Sequence, residues 1–427
     1  MQATFDVAII GGGPAGSVAG SILAQAGRSV IILEKEAFPR FRVGESMVPA
    51  SCETLARIGV KPKLDQGGFL IKYGGEICSA CGTRFRFLFR NGLRPKWKTS
   101  YQVERAKFDQ VLLDHARELG CEVRERTAVQ DVEFYPDGVK LRTGGAGPGP
   151  ESSTVAARYV LDCSGRHSLL AHRFHLREPY PDLRKFSVYA YYENVGRPEG
   201  EAGTLTRMIR TEDGWIWMIP LVGGKCSIGI VTGIDRYRAA RLSPEETLDR
   251  TLRDQPEVSA WVRDARRYTP IYAASDFSYR VTRLAGDRWL LAGDAAGFID
   301  PVFSNGIYMA IYSGERAGDA LALALGNEKP GSRPEAFRNY ETAVQRRFDF
   351  YLKLVRAWYT QPFIEIFLHP KEMFDLVPTV NSALGGNPAR SWSSRWRMKF
   401  FFMLVYLQGR TGRLVPGLTL KPAILPG

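Results

Sequence analysis

Residues 5–34 hold the pattern that most restricts what this chain can fold into. An apolar run from Phe5 to Ile10 leads into a glycine loop, an alanine-rich stretch from Pro14 to Ala26, Gly27, and a second run from Arg28 to Glu34. Short apolar runs bounded by glycine predict buried strands, and the stretch between them predicts a helix ended by Gly27. The segment therefore reads as a βαβ unit. The loop has the spacing Gly11-x-Gly13-x-x-Gly16. Gly11 permits the tight turn, Gly13 lets the backbone approach a pyrophosphate, and Gly16 lets helix and strand pack closely. Unpaired N–H groups at the helix start then face the phosphates. Glu34 closes the second strand, where a carboxylate accepts hydrogen bonds from ribose hydroxyls. The glycine spacing alone would also suit a structural turn; with Glu34 it predicts a dinucleotide site.

Further along, Ala106–Leu119 reads as a helix, and Glu122–Thr127, Val139–Thr143 and Arg158–Cys163 as strands. Gly144–Pro150 reads as a hairpin tip, because no helix follows it. Arg84 to Arg90 alternates with period two, placing Phe85, Phe87 and Phe89 on one face. Residues 183–281 are β-rich. Arg288–Ala292 is a further strand leading to Gly293-Asp294 and a helix after Gly306, and from about Phe337 the pattern is helical and aromatic.

The 427 residues, 44% hydrophobic and 24% charged, suit a large globular core. The six cysteines are scattered, and Cys78-x-x-Cys81 has no second pair. Neither a disulfide framework nor a zinc site is expected, and a reducing cytoplasm fits. The five histidines show no metal or triad spacing, so no metal is expected. Met1 to Asp6 has no basic n-region or cleavage site, which argues against a secretory leader. The apolar run Phe400–Leu407 is far too short to span a bilayer. The net charge of +13 is concentrated in two acid-free segments. Residues 77–103 carry Arg84, Arg86, Arg90, Arg94, Lys96 and Lys98, and residues 376–427 carry Arg390, Arg395, Arg397, Lys399, Arg410, Arg413 and Lys421. Such faces attract polyanions, and plain solvation explains them equally well. Nucleic acid is set aside; an acidic protein or a peripheral membrane contact stays open.

Several distant motifs favour FAD over NAD. Gly293-Asp294-Ala295-Ala296 resembles the second FAD fingerprint of hydroxylase-like flavoproteins, in which the Asp contacts the ribityl chain. Asp162-Cys163-Ser164-Gly165-Arg166, Arg105 and Gly44-Glu45-Ser46 resemble further motifs of that superfamily. Three more segments narrow the choice: Phe69-Leu70-Ile71-Lys72-Tyr73-Gly74-Gly75, Trp215-Ile216-Trp217-Met218-Ile219-Pro220, and Phe298 to Gly306 with Pro301, Ser304 and Gly306. Together they resemble the flavin-dependent halogenases over most of residues 5–330.

The resemblance implies an α/β (α+β) fold. A Rossmann-type FAD-binding domain would comprise residues 1–182 and 282–335, a β-rich substrate lobe 183–281, and a C-terminal helical cap 336–427. It implies cofactor contacts from Gly11, Gly13, Ala15, Gly16, Glu34, Arg42, Ser46, Arg105, Asp294, Pro301 and Ile307. Trp215, Trp217, Ile219 and Pro220 would lie near the flavin. No second glycine fingerprint exists, so FADH2 would come from a separate flavin reductase. Chloride or bromide would be held at Ser304 and the Asn305 and Gly306 N–H groups, where consecutive amides at a helix start form an anion nest. Hypohalous acid formed with O2 would reach Lys72, which hydrogen-bonds it or carries the halogen on its amine; burial lowers a lysine pKa toward that role. Tryptophan halogenases place a Glu where this chain has Phe303. The implied substrate is accordingly a phenol or pyrrole of specialised metabolism, free or tethered to an acyl or peptidyl carrier protein. The basic segments would suit an acidic carrier. The alternatives are an FAD-dependent monooxygenase, a geranylgeranyl-reductase-like flavoprotein acting on lipid alkenes, and a non-enzymatic flavoprotein.

Overall fold

The computed structural model describes residues 4–145, 153–326, 334–387 and 391–422. Phe5–Ile10 lies between Val30–Leu33 and Ser153–Asp162, all parallel, and Glu122–Arg124 and Trp289–Leu291 extend the parallel set. A hairpin of Thr127–Tyr135 and Gly138–Gly145 completes a seven-stranded sheet. Val7, Ala8, Ile9, Val30, Ile31 and Ile32 are buried, as expected for parallel strands covered on both faces. Of the expected hairpin tip, Gly144 and Gly145 end a strand, and residues 146–150 lie outside the described residues.

The helix Pro14–Gln25 crosses the helix Asn305–Gly326 at very short range. A Cβ on Gly314 would lie 2.4 Å from the Ala15 carbonyl oxygen, and one on Gly318 would lie 3.1 Å from Ile22 side-chain atoms. The crossing therefore needs bare backbone at Gly314. Gly293, at φ 66°, also comes close to Ala15. Packing thus joins the N-terminal glycine loop to the Gly293-Asp294 segment, which the sequence separates widely.

The second, eight-stranded sheet contains Lys185–Glu193, Cys226–Gly233, Trp215–Pro220 and Thr206–Arg210 as neighbours. Trp215, Trp217 and Ile219 pack with Ile299, Val302 and Phe303, while Ile216 and Met218 face the opposite cluster with Ile228 and Leu248. This is the two-residue period of a strand covered on both faces. Two earlier strands, Gly74–Ser79 and Arg84–Leu88, belong to the same sheet, the first pairing in parallel with Thr206–Arg210. The sheet therefore reaches beyond residues 183–281, because pairing between such distant segments leaves no trace in local composition. Helices Glu335–Trp358, Gln361–Leu368, Leu376–Leu384 and Trp392–Thr411 follow, and Phe401 of the last packs edge-on against Phe363. No helix among the described residues is long and apolar enough to cross a membrane.

The close crossing is testable. Gly314→Ala should destabilise the apoprotein by about 1–3 kcal/mol, since the methyl meets backbone that cannot turn aside. Gly326→Ala, whose Cβ would meet only a flexible Arg28 guanidinium at 3.5 Å, should be neutral or stabilising. Thermal unfolding of the two variants checks this; equal melting temperatures would contradict it.

Candidate active site

Lys72 ends a short strand, Leu70–Lys72, paired to Ser100–Gln102. Its side chain is buried at 2% exposure. Nζ donates to Ser46 Oγ at 2.7 Å, lies 3.5 Å from Ser304 Oγ, and sits 5.3 Å from the centre of the Phe89 ring. Ser304 Oγ donates to Ser46 Oγ at 3.0 Å, so the three groups form one cluster. Thr206 Oγ1, 2.9 Å from Ser46 Oγ, accepts from Gln102 Nε2 at 2.8 Å and fixes the cluster from the second sheet. No carboxylate pairs with Lys72 among the described residues. Burial without a counter-charge pushes its pKa down to about 7.

Ser304 belongs to a turn held from below. Asp300 accepts from the Val302 N–H at 3.0 Å and from Tyr359 Oη at 2.7 Å, while Trp215 Nε1 donates to the same Tyr359 oxygen at 3.2 Å. Burial raises the Asp300 carboxyl above its ordinary range. Pro301–Phe303 forms one tight turn, Ser304 adopts φ 54°, and Asn305 begins the long helix. The Asn305 and Gly306 N–H groups are thus among the first-turn donors that have no intrahelical acceptor. A Cβ on Gly306 would touch only the Phe298 ring, at an ordinary 3.7 Å. The fold itself leaves room for a methyl there.

The same test sorts the N-terminal loop. A Cβ on Gly11 would lie 2.4 Å from the Cys163 carbonyl, and one on Gly16 would lie 2.0 Å from that of Gly11, so both glycines serve the fold. Gly13 would meet only Arg40 Nη2, at 3.4 Å. Glu34 accepts from the Gly12 N–H at 2.8 Å and the Glu36 N–H at 2.9 Å, which fixes the carboxylate beside the loop. Asp294 has no hydrogen-bond partner for its carboxylate among the described residues. Burial pushes it up to about 6 against the opposing pull of Arg105 and Arg166. Glu45 is fully buried, accepts from Tyr191 Oη, and has its Oε2 unpartnered. Burial raises its pKa. Open backbone at Gly13 and Gly306, an unpartnered Asp294 and an orphaned Glu45 oxygen fit a large polar cofactor such as FAD.

The structure does not bring every expected residue to this group. Arg42 is exposed and pairs with Glu36 at 2.7 Å. Ala15 and Ile307 are buried in helix packing, and the Trp217 indole N–H is engaged by Ser227 at 3.1 Å. Arg105 is anchored by Asp109 through bonds of 2.8 and 2.9 Å, and Arg40 joins the same carboxylate at 3.0 Å. Neither Arg40 nor Asp109 was singled out from the sequence. The spacing of Asp109 four residues after Arg105 on a helix was the available signal. Asp300, Tyr359 and Thr206 carried no such signal.

The model of the FAD binding domain family matches residues 4–347. The 1H-pyrrole-2-carbonyl peptidyl-carrier protein chlorinase of Pseudomonas fluorescens is 31% identical over 380 residues, 83% of this chain and 83% of that protein. Among solved structures, the flavoprotein/dehydrogenase from Cytophaga hutchinsonii superimposes with a TM-score of 0.88 at 25% identity, over 96% of this chain and 100% of that one. The flavin-dependent brominase Bmp2 superimposes with a TM-score of 0.83 at 26% identity, over 95% and 99%. With this match across most of its length, the chain belongs to the flavin-dependent halogenases, FAD enzymes that halogenate aromatic substrates.

Proposed function

We propose that Lys72 carries the halogen from its site of oxidation to a phenol or pyrrole. The observation that carries this reading is an amine buried with no carboxylate partner among the described residues, its Nζ 3.5 Å from Ser304 Oγ at the start of the long helix. When bound and reduced by a separate flavin reductase, FAD would supply two electrons that take O2 to the peroxide level, and peroxide oxygen would oxidise chloride or bromide to hypohalous acid. Gly13 and Glu34 would hold its nucleotide half, on the turn that Gly11 and Gly16 shape, and Ser46, Arg105, Asp294 and Pro301 its flavin half. Halide would rest on the Asn305 and Gly306 N–H groups beside Ser304.

An ammonium donor has no use for a depressed pKa, whereas a neutral amine needs one. Neutral Lys72 Nζ attacks the halogen of hypohalous acid; the N–H proton leaves with the hydroxide as water, giving a haloamine. The aromatic ring then takes the halogen and returns a proton to Nζ, regenerating the amine. Ser46 Oγ and Ser304 Oγ orient Nζ through both steps, and the Phe89 ring keeps water away.

Lys72→Met should abolish halogenated product while FAD binding and O2 consumption persist; near-normal halogenation would remove Lys72 from the mechanism. In wild type the halogenation rate should rise with pH through about 7, as the neutral amine forms. A fall over that range would assign the work to the ammonium. Stability follows the same titration. Unfolding returns the lysine to about 10.4, so between about 7 and 10.4 the unfolded chain binds the extra proton and stability rises with pH. Below about 7 the cost of the buried ammonium is fully present. Lys72→Met should therefore be the more stable protein at pH 6, with the difference closing as pH approaches 10; a pH-independent difference would contradict this.

Gly306→Ala tests the halide turn. The fold accommodates the methyl, so apoprotein stability should hold. The halide concentration for half-maximal rate should rise roughly tenfold, about 1.4 kcal/mol, from one weakened charge-assisted contact. Parallel loss of FAD affinity would instead make the turn a flavin contact only.

The substrate is proposed to arrive as a carrier-protein thioester, the form named for the Pseudomonas fluorescens relative. An acidic carrier would bind at the basic residues of segment 77–103 that lack acidic partners among the described residues. Arg84, Arg86 and Arg90 are neutralised by Glu257, Glu76 and Glu201. Arg94 and Lys98 have no carboxylate partner among the described residues, and Lys96 lies 3.5 Å from Glu53. Arg94→Glu with Lys98→Glu should slow turnover of a carrier-bound pyrrole roughly tenfold, and added salt should mimic the effect on wild type. Equal slowing of a free phenol would refute the docking role.

A further inference from the structure

We infer that the outer face of the helix Trp392–Thr411 is a docking surface for an anionic phospholipid bilayer, on which the protein lies without crossing it. The inference goes beyond the halogenation chemistry and does not depend on the role of Lys72.

The helix is apolar on two opposite sides. Met398, Phe401, Val405 and Gln408 recur at three- and four-residue spacing and are buried. The first three join the core that holds Trp358 and Phe363. One such seam is all that a helix at the surface of a globular protein needs. Yet Trp392, Trp396, Lys399, Met403, Tyr406 and Arg410 repeat the same spacing on the outer side, and all six are exposed. Trp392 is 81% exposed and Tyr406 60%. The stripe runs about 27 Å along the axis. Phe374, 63% exposed, widens it by meeting Trp396 edge-on at 5.9 Å, and Trp396 stacks on Phe400 at 5.6 Å. Single exposed apolar residues need no explanation, but an ordered stripe of them marks an interaction surface.

The charge on this face has one sign. Residues 376–427 contain no Asp or Glu. Lys399, Arg410 and Arg413 have no carboxylate partner among the described residues; Arg410 lies over the Tyr406 ring, 5.5 Å from its centre. Of the nearby acids, Asp375 is held by Arg397 at 2.8 Å, and Glu365 is buried beneath the helix, where Gln408 donates to it at 2.8 Å. Glu372 is the exposed acid that remains in the adjoining loop.

Tryptophan and tyrosine settle at the headgroup level of a bilayer, and methionine and phenylalanine reach the acyl boundary. Lysine and arginine extend along such a surface to bring their charges to lipid phosphates. A second copy of this chain, related by a two-fold axis, would bring the same cations together with no acid on the stripe to neutralise them. An acidic carrier answers the cations, but its charge gives no reason for four large apolar side chains on the same stripe. No helix among the described residues can cross a membrane, so the contact is with the bilayer surface.

The test is co-sedimentation of the full-length FAD-loaded protein with vesicles of phosphatidylcholine, with or without one-third phosphatidylglycerol. Wild type should bind the anionic vesicles, ignore the neutral ones and release as salt is raised. Trp392→Ser with Trp396→Ser, and separately Lys399→Glu with Arg410→Glu, should each weaken binding roughly tenfold or more. Arg253→Glu with Arg266→Glu makes the same change of net charge at exposed positions of other elements and should bind nearly as wild type does. Thermal unfolding establishes that all three variants remain folded. Absence of binding to anionic vesicles, equal binding to neutral ones, or equal loss in the control variant overturns the inference. So does a wild-type dimer that the tryptophan variant converts to monomer, or a carrier-protein affinity lost in that variant while vesicle binding persists.

Discussion

A single buried amine, with no counter-charge among the described residues, is the constraint around which this molecule is arranged. Lys72 reaches its position only because three remote segments meet there: the strand that carries it, the Gly44-Glu45-Ser46 segment, and the turn at Ser304. An ion in such a place is costly unless it is paired, and here the pairing consists of two hydroxyls and a ring face. That arrangement destabilises the charged form and leaves a neutral nitrogen available near neutral pH. Evolution tolerates such a site where activity needs it, with the remaining fold supplying the lost stability.

Most of the surrounding architecture can be understood as support for that meeting point. The close crossing at Gly314 sets the long helix against the nucleotide-binding helix, and so fixes where its first turn begins. Asp300, Tyr359 and Trp215 lock the preceding turn from beneath, joining the second sheet to the helical cap. In this light the two tryptophans act through position. One braces the turn, and the other is tied to Ser227 within its own sheet.

The parts of this design that were legible in the sequence are those encoded locally. The strand, glycine loop and helix at 5–25 follow from residue type and spacing, and the Lys72, Trp215 and Ser304 segments were recognisable as short motifs. What was not legible depends on long-range contact. Nothing in residues 74–88 announces parallel pairing with Thr206–Arg210. Nothing around Asp109 shows that Arg40 would share its carboxylate with Arg105. Charge misled for the same reason: the run from Arg84 to Arg90 looks like an unopposed basic face, yet its partners Glu257 and Glu201 lie more than a hundred residues away. Arg42, by contrast, is a cofactor contact by resemblance, and its side chain pairs locally with Glu36 on the surface.

What decides the mechanism is whether halogen is ever covalently held at Lys72. The direct measurement is a single turnover without aromatic substrate, with reduced flavin, O2 and chloride or bromide, then rapid removal of small molecules and addition of a phenol. If Lys72 Nζ becomes a haloamine, oxidising equivalents should remain with the protein and halogenate the added phenol, and Lys72→Met should retain none. If wild type retains none, with all the halogen found in a scavenger present during turnover, Lys72 carries no halogen.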